Sequence, residues 1–253
     1  MCQSDEIGQN GWTSTPVNAG VIFGDRPFIN EPAPLSFKDI GFPHDDPVVK
    51  KTYDYAKAAL HAETFNHSMR IIIGLLAADK DQGIAIAKQQ FPDQAAVLKP
   101  ATWALTCLLH DIGTSEENLT ANRMSFDLYG GIKALQVLKD LGATTDQAEA
   151  VSEAIIRHQD LGVDGTITFI GQLIQLATIY DNIGVHPHVK EFGKLIHDVT
   201  RKEINEAFPR SKWCSFFAKV IEKEEKIKPW CHSTHLVDFA KEVSANTLMK
   251  EWE

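Results

Sequence analysis

Positive charge is in short supply in this chain. Its 253 residues carry 25 Lys and Arg against 34 Asp and Glu, a formal net charge of −9. A protein that grips a nucleic-acid backbone or an anionic bilayer needs a basic face. The balance therefore argues against both partners and favours a small or neutral substrate. Long apolar runs are missing too. A helix needs about 20 apolar residues to span a bilayer, and the stretch 71–78 is far shorter and is broken by Gly74. Residues 1–6 are polar and acidic, without the basic start or apolar stretch of a signal peptide. A cytoplasmic or nucleocytoplasmic enzyme is the expectation.

Cysteine is also sparse. Cys2, Cys107, Cys214 and Cys231 stand far apart, with no C-x-x-C pair. That spacing reads as reduced thiols and not as a disulfide framework. Cys107, among Thr106, Leu108 and Leu109, reads as a small buried hydrophobe. Period-2 strands of note, internal repeats and low-complexity tracts are all absent.

What is present is a steady helical signal behind an irregular arm. Residues 1–46 contain Pro16, Pro27, Pro32, Pro34 and Pro43, which forbid a long helix. Trp12, Val21, Ile22, Phe23 and Phe28 make this arm too apolar to hang free. It is expected to lie on the body of the domain or on a neighbouring subunit, which points to a homo-oligomer. Residues 47–253 read as a single domain. Asp46-Pro47 is a cap and first-turn pair opening a helix to about Ala62. Phe65, Met69, Ile72, Ile73 and Leu76 recur at helical spacing. Further helices are expected over 101–111, 127–141, 145–158, 166–183, 191–206, 212–226 and 234–252. The class is all-α, a helical bundle around a central site.

Within this frame His110-Asp111 ends a nearly all-apolar helix, and His110 shares a stripe with Trp103, Thr106 and Cys107. Such groups are costly to bury unless paired, hydrogen-bonded or holding a metal. Asp181 lies on the stripe of Ile170, Leu173, Ile174 and Ala177, so it too should face the core. A metal there is one reading. A helix cap, or a pair with Arg70 or Arg157, is the other. His67 precedes the isoleucine run and can be read as a ligand or as an interior histidine bonded to backbone. Taken together, two histidines and two aspartates on three helices suit a divalent ion such as zinc, iron or manganese.

The order His67, His110-Asp111, Asp181 in an all-α chain resembles the HD-domain metal-dependent hydrolase superfamily. A closer resemblance is to the fungal cyanamide hydratases, a zinc-dependent branch. It is carried by residues 66–70 (NHSMR), 106–112 (TCLLHDI), 124–131 (MSFDLYGG), 153–161 (EAIIRHQDL), 181–184 (DNIG), 204–210 (INEAFPR) and 228–232 (KPWCH). The resemblance implies an HD-domain bundle around a mononuclear metal site and a zinc-dependent hydro-lyase. The reaction it implies is hydration of cyanamide to urea by zinc-activated water, with His67, His110, Asp111 and Asp181 as ligands. His158 becomes the candidate proton relay, since the His-His pair of two-metal relatives is reduced here to one histidine. Trp230 and His232 become candidate substrate contacts. Two rival functions are a metal-dependent phosphohydrolase acting on a nucleotide and a non-catalytic metal-bound ligand sensor. Thr114 stands where many phosphohydrolase relatives carry a lysine, which weakens the first of these.

Overall fold

The computed structural model describes residues 7–37, 41–75, 85–162 and 164–253. The expected end of the isoleucine helix at Leu76 lies outside the described residues. Helices dominate. After a short strand β1 (Ser14–Pro16) and α1 (Ala19–Phe23) come α2 (Pro47–Ala59), α3 (Ala62–Leu75), α4 (Ala85–Gln90), α5 (Pro92–Val97), α6 (Pro100–Leu109), α7 (Glu116–Ala121), α8 (Phe126–Leu141) and α9 (Thr145–Ile156). Strand β2 (Thr166–Thr168) then leads directly into α10 (Phe169–Asn182). The chain continues through α11 (Asp198–Ala207), α12 (Trp213–Ile227) and α13 (Phe239–Ser244). None of these described helices is long and apolar enough to cross a membrane.

Helix α6 is the centre of the bundle. Lys99 precedes it and Pro100 occupies its first turn, where a missing N–H costs nothing. From Thr102 to Leu109 every side chain is buried, so the helix is apolar all round because neighbours cover it on all sides. α3, α9 and α2 pack against it. Trp103, fully buried, donates its indole N–H to the Ile72 carbonyl 3.3 Å away, which ties α6 to α3.

The sequence ahead of α2 is pinned to this body at several points. β1 pairs antiparallel with β2, Ser14 opposite Thr168 and Pro16 opposite Thr166. Trp12 donates its indole N–H to Asp146 at 3.1 Å, and the Asn10 amide donates to the other carboxylate oxygen. Phe23 is wholly buried and meets Phe91 edge-on at 6.1 Å. Each strand has only three residues, too few to show alternation in sequence. Residues 166–168 are accordingly not the start of a helix; Thr168 caps α10 by accepting from the Gly171 N–H.

The expected helix over 234–252 is also broken. A 3-10 turn at His232–His235, α13 and a second 3-10 turn at Lys250–Trp252 replace it. Asp238 adopts a left-handed φ of 57°, which no continuous helix allows. Asn246 then turns its side chain to the Asp181 carbonyl and accepts from the Met249 N–H.

The turn after His110 is equally specific. Residues Ile112–Thr114 form a 3-10 turn against the start of α8. A Cβ on Gly113 would stand 2.0 Å from the Phe126 carbonyl oxygen, so only glycine lets the two backbones approach this closely.

Candidate metal centre

α3 supplies His67 and the end of α6 supplies His110 and Asp111; all three are buried. Their donor atoms lie within 4.8 Å of one another. His67 Nδ1 sits 2.6 Å from Asp181 Oδ2. A carboxylate accepts only, so this nitrogen carries the proton. His110 Nδ1 likewise donates to the Cys107 carbonyl at 2.8 Å. In the neutral form each ring then keeps a lone pair on Nε2. Those two Nε2 atoms are 3.1 Å apart. Asp111 Oδ2 lies 3.1 Å from the His110 Nε2 and 3.8 Å from the His67 Nε2. This oxygen is buried and has no hydrogen-bond donor of its own. Three acceptors converge with no proton among them. That arrangement is costly without a cation, and two imidazoles with a carboxylate are the donor set a borderline divalent ion takes.

Electrostatics agree for His67 and Asp111. Burial, the largest influence, lowers His67 to about 4 despite the pull of Asp181, so the ring is neutral at pH 7. Burial would raise Asp111, but His110 above all, with His67 and His158, holds it down at about 2. The carboxylate stays ionised.

Asp181 is brought to His67 but not into the converging group. Its carboxylate takes the His67 Nδ1 proton on one side and two guanidinium groups on the other. Arg70 Nη2 donates at 2.8 Å and Arg210 Nη1 at 2.7 Å. Burial acts to raise this carboxyl, and Arg210 and then Arg70 overcome it and drive it well below the usual range. The arginine pairing foreseen through Arg70 is therefore present, while Arg157 pairs with Asp160. Arg210 reaches on to Glu253, so a chain of charges runs Glu253, Arg210, Asp181, His67. Trp213 stacks on the His67 ring, 4.4 Å away and nearly parallel.

His158 falls in the turn after α9, with its Nδ1 donating to the Ile155 carbonyl at 2.6 Å. Its ring stands perpendicular to His110, centroids 5.6 Å apart, and burial lowers its pKa. Its Nε2 is thus an acceptor beside the donor group. A cavity of about 20 Å³ is lined by His110, Asp111 and His158 together with Gln159, Thr178 and Asn182. Sequence reading did not name these last three as site residues, although Gln159 and Asn182 fall within the family-like segments 153–161 and 181–184. A roomier cavity of about 50 Å³ touches Arg70 and Asp181 but none of His110, Asp111 or His158.

Trp230 and His232 do not line the cavity. Trp230 is 57% exposed and donates its indole N–H to the Arg123 carbonyl. The polar and proline-flanked setting of Trp230 suits a surface strut. His232 Nδ1 binds Asp127 Oδ2 at 2.5 Å, so its polar edge is committed to α8.

Two Saccharomyces cerevisiae proteins, cyanamide hydratase DDI2 and cyanamide hydratase DDI3, are similar to this chain. Each is 40% identical over 223 residues, 87% of this chain and 91% of its own length. No protein-family model matches the chain.

Proposed function

The chain belongs to the cyanamide hydratase family, and on that premise we propose that it adds water across the nitrile of cyanamide to give urea. The observation that carries the reading is the convergence of His67 Nε2, His110 Nε2 and Asp111 Oδ2 on one point with no donor between them. These three residues would hold a single divalent ion, zinc on the family resemblance. When bound, zinc lowers the pKa of a coordinated water to about 7 and polarises an unsaturated carbon for attack.

The protein's own residues do the rest. Asp181 fixes the tautomer and plane of His67, which suits a carboxylate standing behind a ligating imidazole. Its oxygens meet His67, Arg70 and Arg210, so on this reading it supports His67, and the direct ligand role that the family resemblance implied is the alternative that mutation tests. His158, neutral and with Nε2 free, takes a proton from the attacking water and returns it to the nitrile nitrogen. The resulting isourea tautomerises to urea. Walls that include Leu161, Ile179 and Phe217, with no lysine or arginine among the described lining residues, suit a small uncharged substrate better than a phosphate. Thr114, at the position of the phosphohydrolase lysine, spends its hydroxyl on the Asp111 carbonyl. The net charge of −9 fits a free small molecule better than a polyanionic partner.

The test is incubation of the zinc-loaded protein with cyanamide, following urea, beside a nucleotide panel followed for phosphate. Urea without phosphate is expected. Phosphate without urea would replace this reading with the hydrolase one.

A further inference from the structure

The same cavity carries a limit on substrate size. Its apolar wall is completed by Leu236 and Phe239, which come from a segment remote in sequence from the metal-site residues. Leu236 lines the cavity and is also partly exposed, so it stands between the interior and solvent. Phe239 is buried and meets Phe217 edge-on at 6.1 Å.

This wall is held firmly. Just before Leu236, the fully buried Ser233 donates toward Glu224 at 3.0 Å and lies 3.2 Å from Gln159. Glu224, itself buried, accepts from the Phe126 N–H at 2.7 Å. The His232 N–H donates to Ser125 Oγ at 2.8 Å, and its ring binds Asp127. A segment tied at this many points resists outward displacement, because opening it breaks several hydrogen bonds at once. The cavity measures about 20 Å³. One water needs roughly 10–15 Å³, so the space is that of about one to two water-sized groups. Cyanamide, N≡C–NH₂, is at the upper edge of that space, and its N-alkyl derivatives are beyond it.

We infer that Leu236 and Phe239 set the upper size limit of the nitrile, admitting unsubstituted cyanamide and excluding N-alkylated cyanamides. The inference rests on the cyanamide reading of the site. Water added across the nitrile of dimethylcyanamide would give 1,1-dimethylurea with no other reactant, so the rejected substrate has a defined product.

The test compares zinc-loaded wild type with Leu236→Ala and Phe239→Leu, each offered cyanamide and dimethylcyanamide, with both ureas quantified. Saturation-transfer NMR on the same samples reports dimethylcyanamide binding apart from turnover. One methylene in an apolar pocket is worth about 10- to 200-fold in discrimination. The ratio of kcat/KM for dimethylcyanamide over cyanamide should therefore rise about tenfold or more in Leu236→Ala. The NMR signal should be absent in wild type and present in the variant. Leu236 is partly exposed, so its alanine variant folds even if Phe239→Leu does not. Leu236→Phe should instead raise KM for cyanamide itself. Wild type turning over dimethylcyanamide as readily as cyanamide, or an unchanged ratio and unchanged binding in the folded variants, overturns the size limit. Urea from neither substrate in wild type, with dimethylcyanamide binding gained in Leu236→Ala, supports the size limit and removes the cyanamide reading.

Discussion

His67 Nδ1 and Asp181 Oδ2 stand 2.6 Å apart across α3 and α10. The contact joins the metal centre to a buried charge network. It leaves the opposite nitrogen of the ring, Nε2, facing His110 and Asp111. On the reading proposed above, the aspartate would act on a bound metal through the ring, and mutation separates that role from direct ligation.

Asp181→Asn keeps the volume of the side chain but weakens its hold on His67. Loss of a partner behind a ligand lowers metal affinity about 10- to 100-fold. His67→Ala removes a donor outright and should abolish stoichiometric binding. Competition with a chromophoric chelator measures both. Equal loss in the two variants would place Asp181 among the ligands.

His158→Gln should leave metal content unchanged, since His158 lies outside the converging donors. Removal of a positioned acid–base group costs about 10²- to 10⁴-fold in rate. Urea formation and metal content, measured on one preparation, decide the matter. A variant with full kcat would show that His158 is only a packing residue.

Gly113→Ala should destabilise the fold by about 2 kcal/mol or more, as over-packing against backbone does. The Cβ would meet the Phe126 carbonyl oxygen at 2.0 Å, and neither backbone has room to retreat. Gly130→Ala is the control. Its nearest neighbour is the Gly113 nitrogen at 3.3 Å, and helix propensity there offsets strain by up to about 1 kcal/mol. Urea denaturation reads both. Similar midpoints for the two variants would contradict the close approach.

The His232–Asp127 pair makes the wall segment sensitive to alkali. The Nδ1 bond to Asp127 is the main cause of a raised His232 pKa. Burial opposes it, and the charges of Asp127, Asp160 and Glu224 add to the rise. A raised folded value means that the native state holds the proton more tightly than the unfolded one. The stabilisation is complete below about pH 6.5, the unfolded value, and is lost as pH rises through the folded value. His232→Gln should therefore cost more stability at pH 6 than at pH 9 by denaturant titration. A deficit equal at both pH values would mean that the pair carries no proton-linked charge.

Much of the architecture can be read from local pattern. Ile170, Leu173, Ile174 and Ala177 recur at helical spacing, and α10 lies where they place it. Prolines at positions 47 and 100 mark two helix starts because each fits a first turn. Asp181 is visible as an inward carboxylate on an apolar stripe. Spacing on one helix cannot say what it meets, however. Arg70 lies 111 positions away and Arg210 lies 29 away in chain order. The strand pair β1–β2 escapes detection because each half has three residues and gains its stability from pairing across the chain. The break at Asp238 escapes because a left-handed aspartate leaves no compositional trace.

By itself the sequence determined the helical class, the inward-facing histidines and aspartates, and the family to which they belong. The class and the inward-facing residues follow from side-chain type and periodicity along single helices, and the family follows from the resemblance of whole segments. Tertiary structure alone decided which nitrogen of His67 points to Asp181 and which points to His110. It also decided that Trp230 and His232 brace the surface and the wall segment, and that Leu236 and Phe239 close the cavity. Those outcomes depend on directions and distances between segments far apart in the chain, which only packing of the whole bundle sets.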